Sequence, residues 1–394
     1  MTHADSAFDN NMSRMDFRPT EEQELLRQSV RAFAEAEVRP HVREWDAAQH
    51  FPVEIVPKLA ALGLLGIQLP EAYGGAGLSP IDYCICIEEL ARVDPGLALS
   101  VAAHNGLCGA HIARFGTEAQ KARYLGPLAK GDKIGAWGLT ESTSGSDAAS
   151  MRTTALRDAS GWVLNGAKTF TTHGRVGDVM VVMAVTDRDA RSRGISAFVV
   201  ERGAAGMTSG KKEDKLGMRA SDTSEVRFDA CRVPEDSLLG QEGHGFIDAM
   251  QILDAGRIGI AALAVGLAQG AYEAALHYAQ ERRAFGRPIS QFQAIRWKLA
   301  DNATRIEAAR LLTYRAAYLK ASGRRTTLES SMAKLYAGEM AVKAADDCVQ
   351  IHGGYGFVKD YPAEKFFRDV KLTTIGEGTS EIQRLVIARQ LLGR

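Results

Sequence analysis

Beyond Gly245 the sequence repeats apolar residues at helical spacing almost to its end, and no other feature constrains the fold so tightly. Helices of about thirty residues fit 246–284, 290–322 and 325–352, with Leu, Ile, Ala and Tyr on one face and Arg, Glu and Lys on the other. Segments of that length with short connections bury their apolar stripes against one another, as an antiparallel bundle. The alanines and glycines of 261–275 let helix backbones come close. Two shorter helices fit 362–373 and 380–392.

The chain ahead of this bundle has two characters. Residues 1–18 read as a flexible tail. From Thr20, Leu25, Leu26, Val30, Phe33 and Val38 recur at helical spacing, with Thr20 and Gln23 as a capping box and Pro40 as a stop. Further helices fit the stretch from Pro52 to Gly63, then 80–92, 97–115 and 118–128. Near Gly131 the pattern changes. Runs rich in Val, Thr, Phe and Ile cover 134–140, 152–157, 162–172, 179–186, 195–200 and 224–232, punctuated by Gly, Asp, Ser and Asn. The spacers are too short for βαβ crossovers, which points to a compact antiparallel unit and disfavours a doubly wound fold. The expected division is a helical domain over 19–132, a β domain over 133–240 and a helical bundle over 241–394.

Charge and composition exclude several function classes. Lys plus Arg equals Asp plus Glu, at 48 each, so no net positive field draws a nucleic-acid backbone or membrane surface. The first fourteen residues hold no apolar core of a signal peptide, and no run of about 18 apolar residues suggests a membrane span. A cytoplasmic protein is expected. The five cysteines are odd in number and scattered, which argues against a disulfide framework and fits small core residues. His173 and His352 lack partners at metal-ligand spacing, so no metal is expected.

Several stretches carry chemistry. Glu377 stands between Gly376 and Gly378, on a turn whose glycines let backbone approach a ligand. Ser380 and Gln383 follow with the spacing of a capping box, so a helix is expected to begin there. Residues 137–147 pack hydroxyls and glycines into a loop after the first strand, suited to holding a pyrophosphate or polar ring edge. Phe170 and its threonines could flank a flat ring. Arg282 could meet a phosphate and Phe285 could stack, while the glycines at 353, 354 and 356 end a long helix.

Taken together and in order, these stretches resemble the acyl-CoA dehydrogenase family from about Glu21 to Gly393. The resemblance rests on Leu139-Thr-Glu with Gly145-Ser-Asp, on Lys215-Leu-Gly-Met-Arg-Ala-Ser-Asp-Thr, on Glu281-Arg-Arg-Ala-Phe-Gly and on Phe292-Gln293. It continues through Gln350-x-x-Gly-Gly-x-Gly, Tyr361-Pro-x-Glu-Lys-x-x-Arg-Asp and Glu377-Gly-Thr-Ser-Glu-Ile-Gln-Arg. It implies an N-terminal helical domain, a middle β domain and a C-terminal four-helix bundle. It also implies bound FAD, contacted by Trp137, Leu139, Thr140, Gly145, Ser146, Phe170, Thr171 and Thr172. Arg282 and Gln293 of a neighbouring subunit, with Gln350, Gly353 and Gly354, would meet its other end, and Phe285, Phe292, Thr379, Ser380 and Glu381 would also contact it. Such sharing implies a homo-oligomer, by resemblance a tetramer. Ser146, Asp254, Arg257 and Gly378 match acyl-CoA contacts.

The resemblance makes Glu377 the base that takes the thioester α-proton while the β-hydrogen passes as hydride to flavin N5. The Glu377 backbone N–H and a ribityl hydroxyl would stabilise the enolate-like charge, and burial would raise the Glu377 pKa. Isovaleryl-type members carry their base just before an arginine on the first bundle helix, and here that position is Gly256, before Arg257. Gly376 stands where many straight-chain members have tyrosine, and Phe170 replaces a frequent tryptophan. Short-chain and short-branched members match best, with an electron-transferring flavoprotein as acceptor. The alternatives are an oxidase or monooxygenase using O₂ and a non-catalytic flavin-binding relative associated with DNA, the latter opposed by the neutral charge balance.

Overall fold

Side-chain caps start most of the early helices. The structure, a computed structural model, describes residues 18–393, so the tail expected over residues 1–18 falls outside it except for Arg18. Helix α1 (Glu21–Phe33) opens on the Thr20/Gln23 capping box. Pro40 does not stop the chain there. A π segment and a 3-10 turn containing Pro40 carry it into α2 (Val42–Ala48). After α3 (Val56–Ala61), Ser79 and Asp82 cap α4 (Pro80–Ala91), and Asp94 caps α5 (Pro95–Ala103). A π segment, His104–Gly109, joins α5 to α6 (Ala110–Phe115), and Thr117 with Gln120 caps α7 (Glu118–Ala129). In that π segment the buried Asn105 accepts from Ile67 N and donates to Leu64 O, both at 2.9 Å, so the widened turn holds the preceding loop.

The middle of the chain forms one sheet in the order β6-β7-β3-β2-β4-β5-β8. Its strands are β1 (Gly135–Gly138), β2 (Thr154–Asp158), β3 (Gly161–Thr172), β4 (Val179–Val185), β5 (Ile195–Glu201), β6 (Met207–Lys212), β7 (Thr223–Val233) and β8 (Leu238–Leu239). Most pairings are antiparallel, but β1 runs parallel to β4 over four residue pairs, and β2 touches β4 in the same sense. A parallel neighbour needs a long crossover. Here the β2–β3 hairpin fills that stretch of chain, so no helix is required. Both faces of β4 and β5 are buried. Val181, Met183 and Val199 pack against Leu107, Ile112 and Leu253, while Val182, Phe198 and Val200 pack against Trp162 and Val226.

The bundle consists of α8 (Gly245–Glu281), α9 (Gln293–Ala321), α10 (Thr327–His352) and α12 (Ser380–Leu392), with the short α11 (Ala363–Asp369) before the last. By length and composition α8 could cross a membrane, yet it is largely buried inside the bundle. Its glycines bring it against α4: a Cβ on Gly266 would lie 2.2 Å from Glu88 O, and one on Gly270 equally close to Arg92 O. A buried charge cluster ties the three parts together. Lys365 bonds Asp369 at 2.6 Å and Asp94 at 3.3 Å, and Asp369 accepts from Met218 N at 2.6 Å.

Candidate active site

The turn at Glu377 is built to present a dry carboxylate. The N–H groups of Ile375 and Gly376 both reach Leu372 O, at 2.9 and 2.8 Å. Glu377 (φ 53°) and Gly378 (φ 97°) then both adopt left-handed backbone, rare for a glutamate. Three bonds from two helices hold that conformation. Lys334 Nζ of α10 donates to Gly378 O at 2.6 Å, while Gln383 Nε2 of α12 donates to Gly378 O at 3.0 Å and to Glu377 O at 3.4 Å. The cap of α12 is Thr379, whose hydroxyl accepts from Ile382 N at 3.3 Å, not Ser380. Ser380 is the first helical residue, and Gln383 is occupied with the turn instead of with a capping box.

The side chain points at α8. Glu377 is half-buried as a residue, but its Oε2 is closed to water and has no hydrogen-bond partner among the described residues. A Cβ on Gly256 would lie 2.0 Å from that oxygen and 3.4 Å from Leu107 Cδ2. The space a side chain at 256 would take is therefore the space the carboxylate fills, so the two candidate base positions exclude one another. Burial pushes the Glu377 carboxyl up to about 7, against the opposing pull of Lys334 and Arg257. The Glu377 N–H makes no hydrogen bond among the described residues, leaving a free donor beside the carboxylate. Behind it, Tyr83 of α4 is buried, with its hydroxyl against Gly106 and Gly259. Arg257 is also buried. Its Nη1 bonds Asp254 at 2.8 Å and Ser331 at 3.2 Å, its Nε has no partner among the described residues, and Asp254 accepts from Thr327 at 2.6 Å.

The β domain brings its predicted residues to one region. Trp137 lies on β1, with Leu139 and Thr140 just past its end. Lys168, fully buried, pairs with Glu141 at 2.7 Å, and Glu141 accepts from Arg152 N and Thr153 N. That clamp closes the loop carrying Gly145 and Ser146, both exposed. At a register shift of β3, Phe170 takes φ 54° and stands 65% exposed, while the Oγ1 atoms of Thr169 and Thr171 are buried without partners among the described residues. An aromatic held in strained backbone beside orphan hydroxyls fits a flat ring with polar edges, and Thr172 ends the strand just beyond. FAD fits this donor set. Trp137 Nε1 donates to His111 Nδ1 at 3.0 Å, and the buried His111 is pushed down to about 3.

The remaining predicted contacts gather elsewhere. Arg282, Gly353 and Gly354 line a cleft of about 580 Å³ with Tyr278 and Tyr355, and Arg282 lies 5.7 Å over the Tyr355 ring. Gln350 stands exposed on the last turn of α10. Strands β9 (Arg283–Ala284) and β10 (Arg287–Pro288) make a two-residue hairpin that presents Phe285, 93% exposed, at the tip, with Phe292 packed edge-on at 5.9 Å beside Gln293. This group sits at the far end of α8. Arg282 follows Gly256 by twenty-six residues, about 39 Å of helix. Thr379, Ser380 and Glu381 instead start α12 beside Glu377.

Lys334, Tyr83 and His111 shape the site without a signal in the sequence, and Gln383 does so in a role other than the capping box expected of it. Each sits in an ordinary helical stretch, and only Gln383 lies inside a quoted motif.

Comparison with known proteins gives one answer along the chain. Models of the acyl-CoA dehydrogenase N-terminal, middle and C-terminal domains match residues 20–132, 136–231 and 243–392. The short-chain specific acyl-CoA dehydrogenase of Clostridium acetobutylicum is 48% identical over 377 residues, 96% of this chain and all of that protein. Butyryl-CoA dehydrogenase from Megasphaera elsdenii superposes with a TM-score of 0.94 at 42% identity, covering 96% of this chain and 100% of that one. A chain solved in work on the electron transferring flavoprotein of Acidaminococcus fermentans superposes with a TM-score of 0.95 at 46% identity, with the same coverage.

Proposed function

The chain belongs to the acyl-CoA dehydrogenase family of FAD-dependent oxidoreductases, and from that premise we propose that it desaturates a short acyl-CoA thioester to the 2-enoyl-CoA with Glu377 as its base. The observation that carries this reading is the dry, unpartnered Oε2 of Glu377 packed against Gly256. A carboxyl held near neutrality is ionised often enough to act and basic enough to take a weakly acidic α-proton. The free N–H of Glu377 donates to the thioester oxygen, where charge builds as the proton leaves. Asp254, Arg257, Ser146 and Gly378 contact the acyl-CoA, and the unpartnered Arg257 Nε supports this with a buried donor.

FAD, when bound, supplies the acceptor for the hydride equivalent that leaves the β-carbon. Trp137, Leu139, Thr140, Gly145, Ser146, Phe170, Thr171 and Thr172 hold its ring end, with Thr379, Ser380 and Glu381 from α12. About 39 Å of helix separates the Glu377 region from Arg282. By family likeness Arg282, Phe285, Phe292, Gln293, Gln350, Gly353 and Gly354 serve the cofactor of a second copy, which makes the enzyme a homo-oligomer, a tetramer. An electron-transferring flavoprotein receives the electrons. This draws support from the Acidaminococcus fermentans likeness, and reduced enzyme should reoxidise faster with that protein than with air.

The test is Glu377→Gln. The variant should keep its yellow FAD and show no anaerobic flavin bleaching with butyryl-CoA or longer acyl-CoAs. General-base removal is expected to cost 10²- to 10⁴-fold. Bleaching at the wild-type rate refutes the assignment.

A further inference from the structure

Lys334 lies two turns into α10 and is 1% exposed, among the largest fully buried side chains of the protein. An ammonium in such a place is costly unless charges and hydrogen bonds offset the lost water. Its one hydrogen bond goes to Gly378 O at 2.6 Å, and it makes no ion pair among the described residues. We propose that Lys334 is a positioning residue for Glu377: its ammonium grips the Gly378 carbonyl to hold the left-handed turn, and its charge keeps the neighbouring carboxyl ionisable at neutral pH. The inference deepens the reading of Glu377 as base and rests on it.

The geometry carries this in two ways. Strained backbone persists only where its surroundings over-determine it. The Gly378 carbonyl receives both Lys334 and Gln383, from different helices, so the turn cannot relax without breaking bonds to two elements. The charges around the carboxyl are few. Arg257 faces it from α8, but Asp254 already claims part of that charge. Tyr83 from α4 and Gln383 from α12 are neutral there. Glu381 on α12 and Glu339 on α10 act on Lys334, each less than Glu377 and Arg257 do. Burial pushes Lys334 down to about 8, and the Glu377 charge is the largest influence opposing it. Lys334 is likewise the first of the two cations that hold the Glu377 carboxyl down against burial. Without it, a smaller fraction of the acid would be ionised at neutral pH and free to accept the α-proton.

The test uses FAD-loaded Lys334→Arg, Lys334→Gln and Lys334→Met. The readout is the acid limb of kcat/KM against pH for butyryl-CoA, which reports the free enzyme's base. Glutamine can keep the bond to Gly378 O without the charge, so it separates the two contributions. Lys334→Arg should leave the limb in place, while Lys334→Gln and Lys334→Met should move it up by about one pH unit, the usual effect of losing a nearby opposite charge. Lys334→Gln should also keep the wild-type flavin content and melting temperature. A limb that stays put in the glutamine and methionine variants overturns the proposal, whatever the activity does. Loss of folding in both overturns it too, because Lys334 would then be only a structural residue. An active Glu377→Gln enzyme would instead sink the underlying reading, so the two failures are distinguishable.

Discussion

Replacing Gly256 with alanine sets stability and catalysis against each other. The new methyl would lie 2.0 Å from Glu377 Oε2, 3.0 Å from its Cδ and 3.4 Å from Leu107 Cδ2. A carbon and an oxygen come no closer than about 3.3 Å, so the carboxylate must retreat by about 1.3 Å. Helix α8 cannot move instead, because its backbone is packed directly on α4 through Gly266 and Gly270. A misplacement near 1 Å can cost about 10²-fold in rate, equivalent to about 2.7 kcal/mol in the barrier. Alanine in a helix interior is meanwhile favoured over glycine by about 0.5–1 kcal/mol, so the fold should lose little or gain slightly. Gly256→Ala should therefore keep its flavin and its melting temperature, while stopped-flow anaerobic bleaching by butyryl-CoA slows about a hundredfold. A rate within threefold of wild type, with flavin bound, would mean that the carboxylate's seat against Gly256 is not its reactive position.

Two further predictions follow from side chains outside that contact. His104 accepts from Gly135 N through Nδ1 and faces Leu65 O and Leu128 O through Nε2, so it is buried neutral, and burial pushes it down to about 4. Its unfolded value is near 6.5, so the unfolded chain binds the extra proton first. The stability it contributes is complete above pH 6.5 and is lost as pH falls towards 4, by about 2 kcal/mol at pH 5. Urea midpoints that do not fall between pH 7 and pH 5 would contradict this. Tyr83, wedged behind Glu377 against Gly106 and Gly259, should end the acyl pocket. Tyr83→Leu should then raise the hexanoyl-to-butyryl ratio of kcat/KM about tenfold, in line with methylene discrimination in apolar pockets, and an unchanged ratio would remove Tyr83 from the pocket.

What the sequence disclosed follows from how local each signal is. The Gly-Glu-Gly turn, the capping box at Thr20 and the periodicity of α8 to α10 are written within a few turns of chain, and a single window shows them. The parallel pairing of β1 with β4 was not visible, because it depends on where a hairpin between them folds. The two π segments were hidden as well, since one extra residue in a turn leaves the apolar period almost unchanged.

The site divides along the same line. Glu377 is conspicuous because its glycines are its neighbours in sequence, but the groups that set its chemistry come from three helices distant from it. Lys334 reads as any lysine on an amphipathic helix until α10 is packed, and Gln383 reads as half of a capping box until Thr379 takes the cap. Gly256 is the instructive intermediate. In sequence it was only a missing acid before Arg257. In the fold, that missing side chain is the volume the Glu377 carboxylate occupies, so the glycine is a requirement of the base at 377. A motif can thus name the reacting atom, while its acidity and aim are properties of the packing around it.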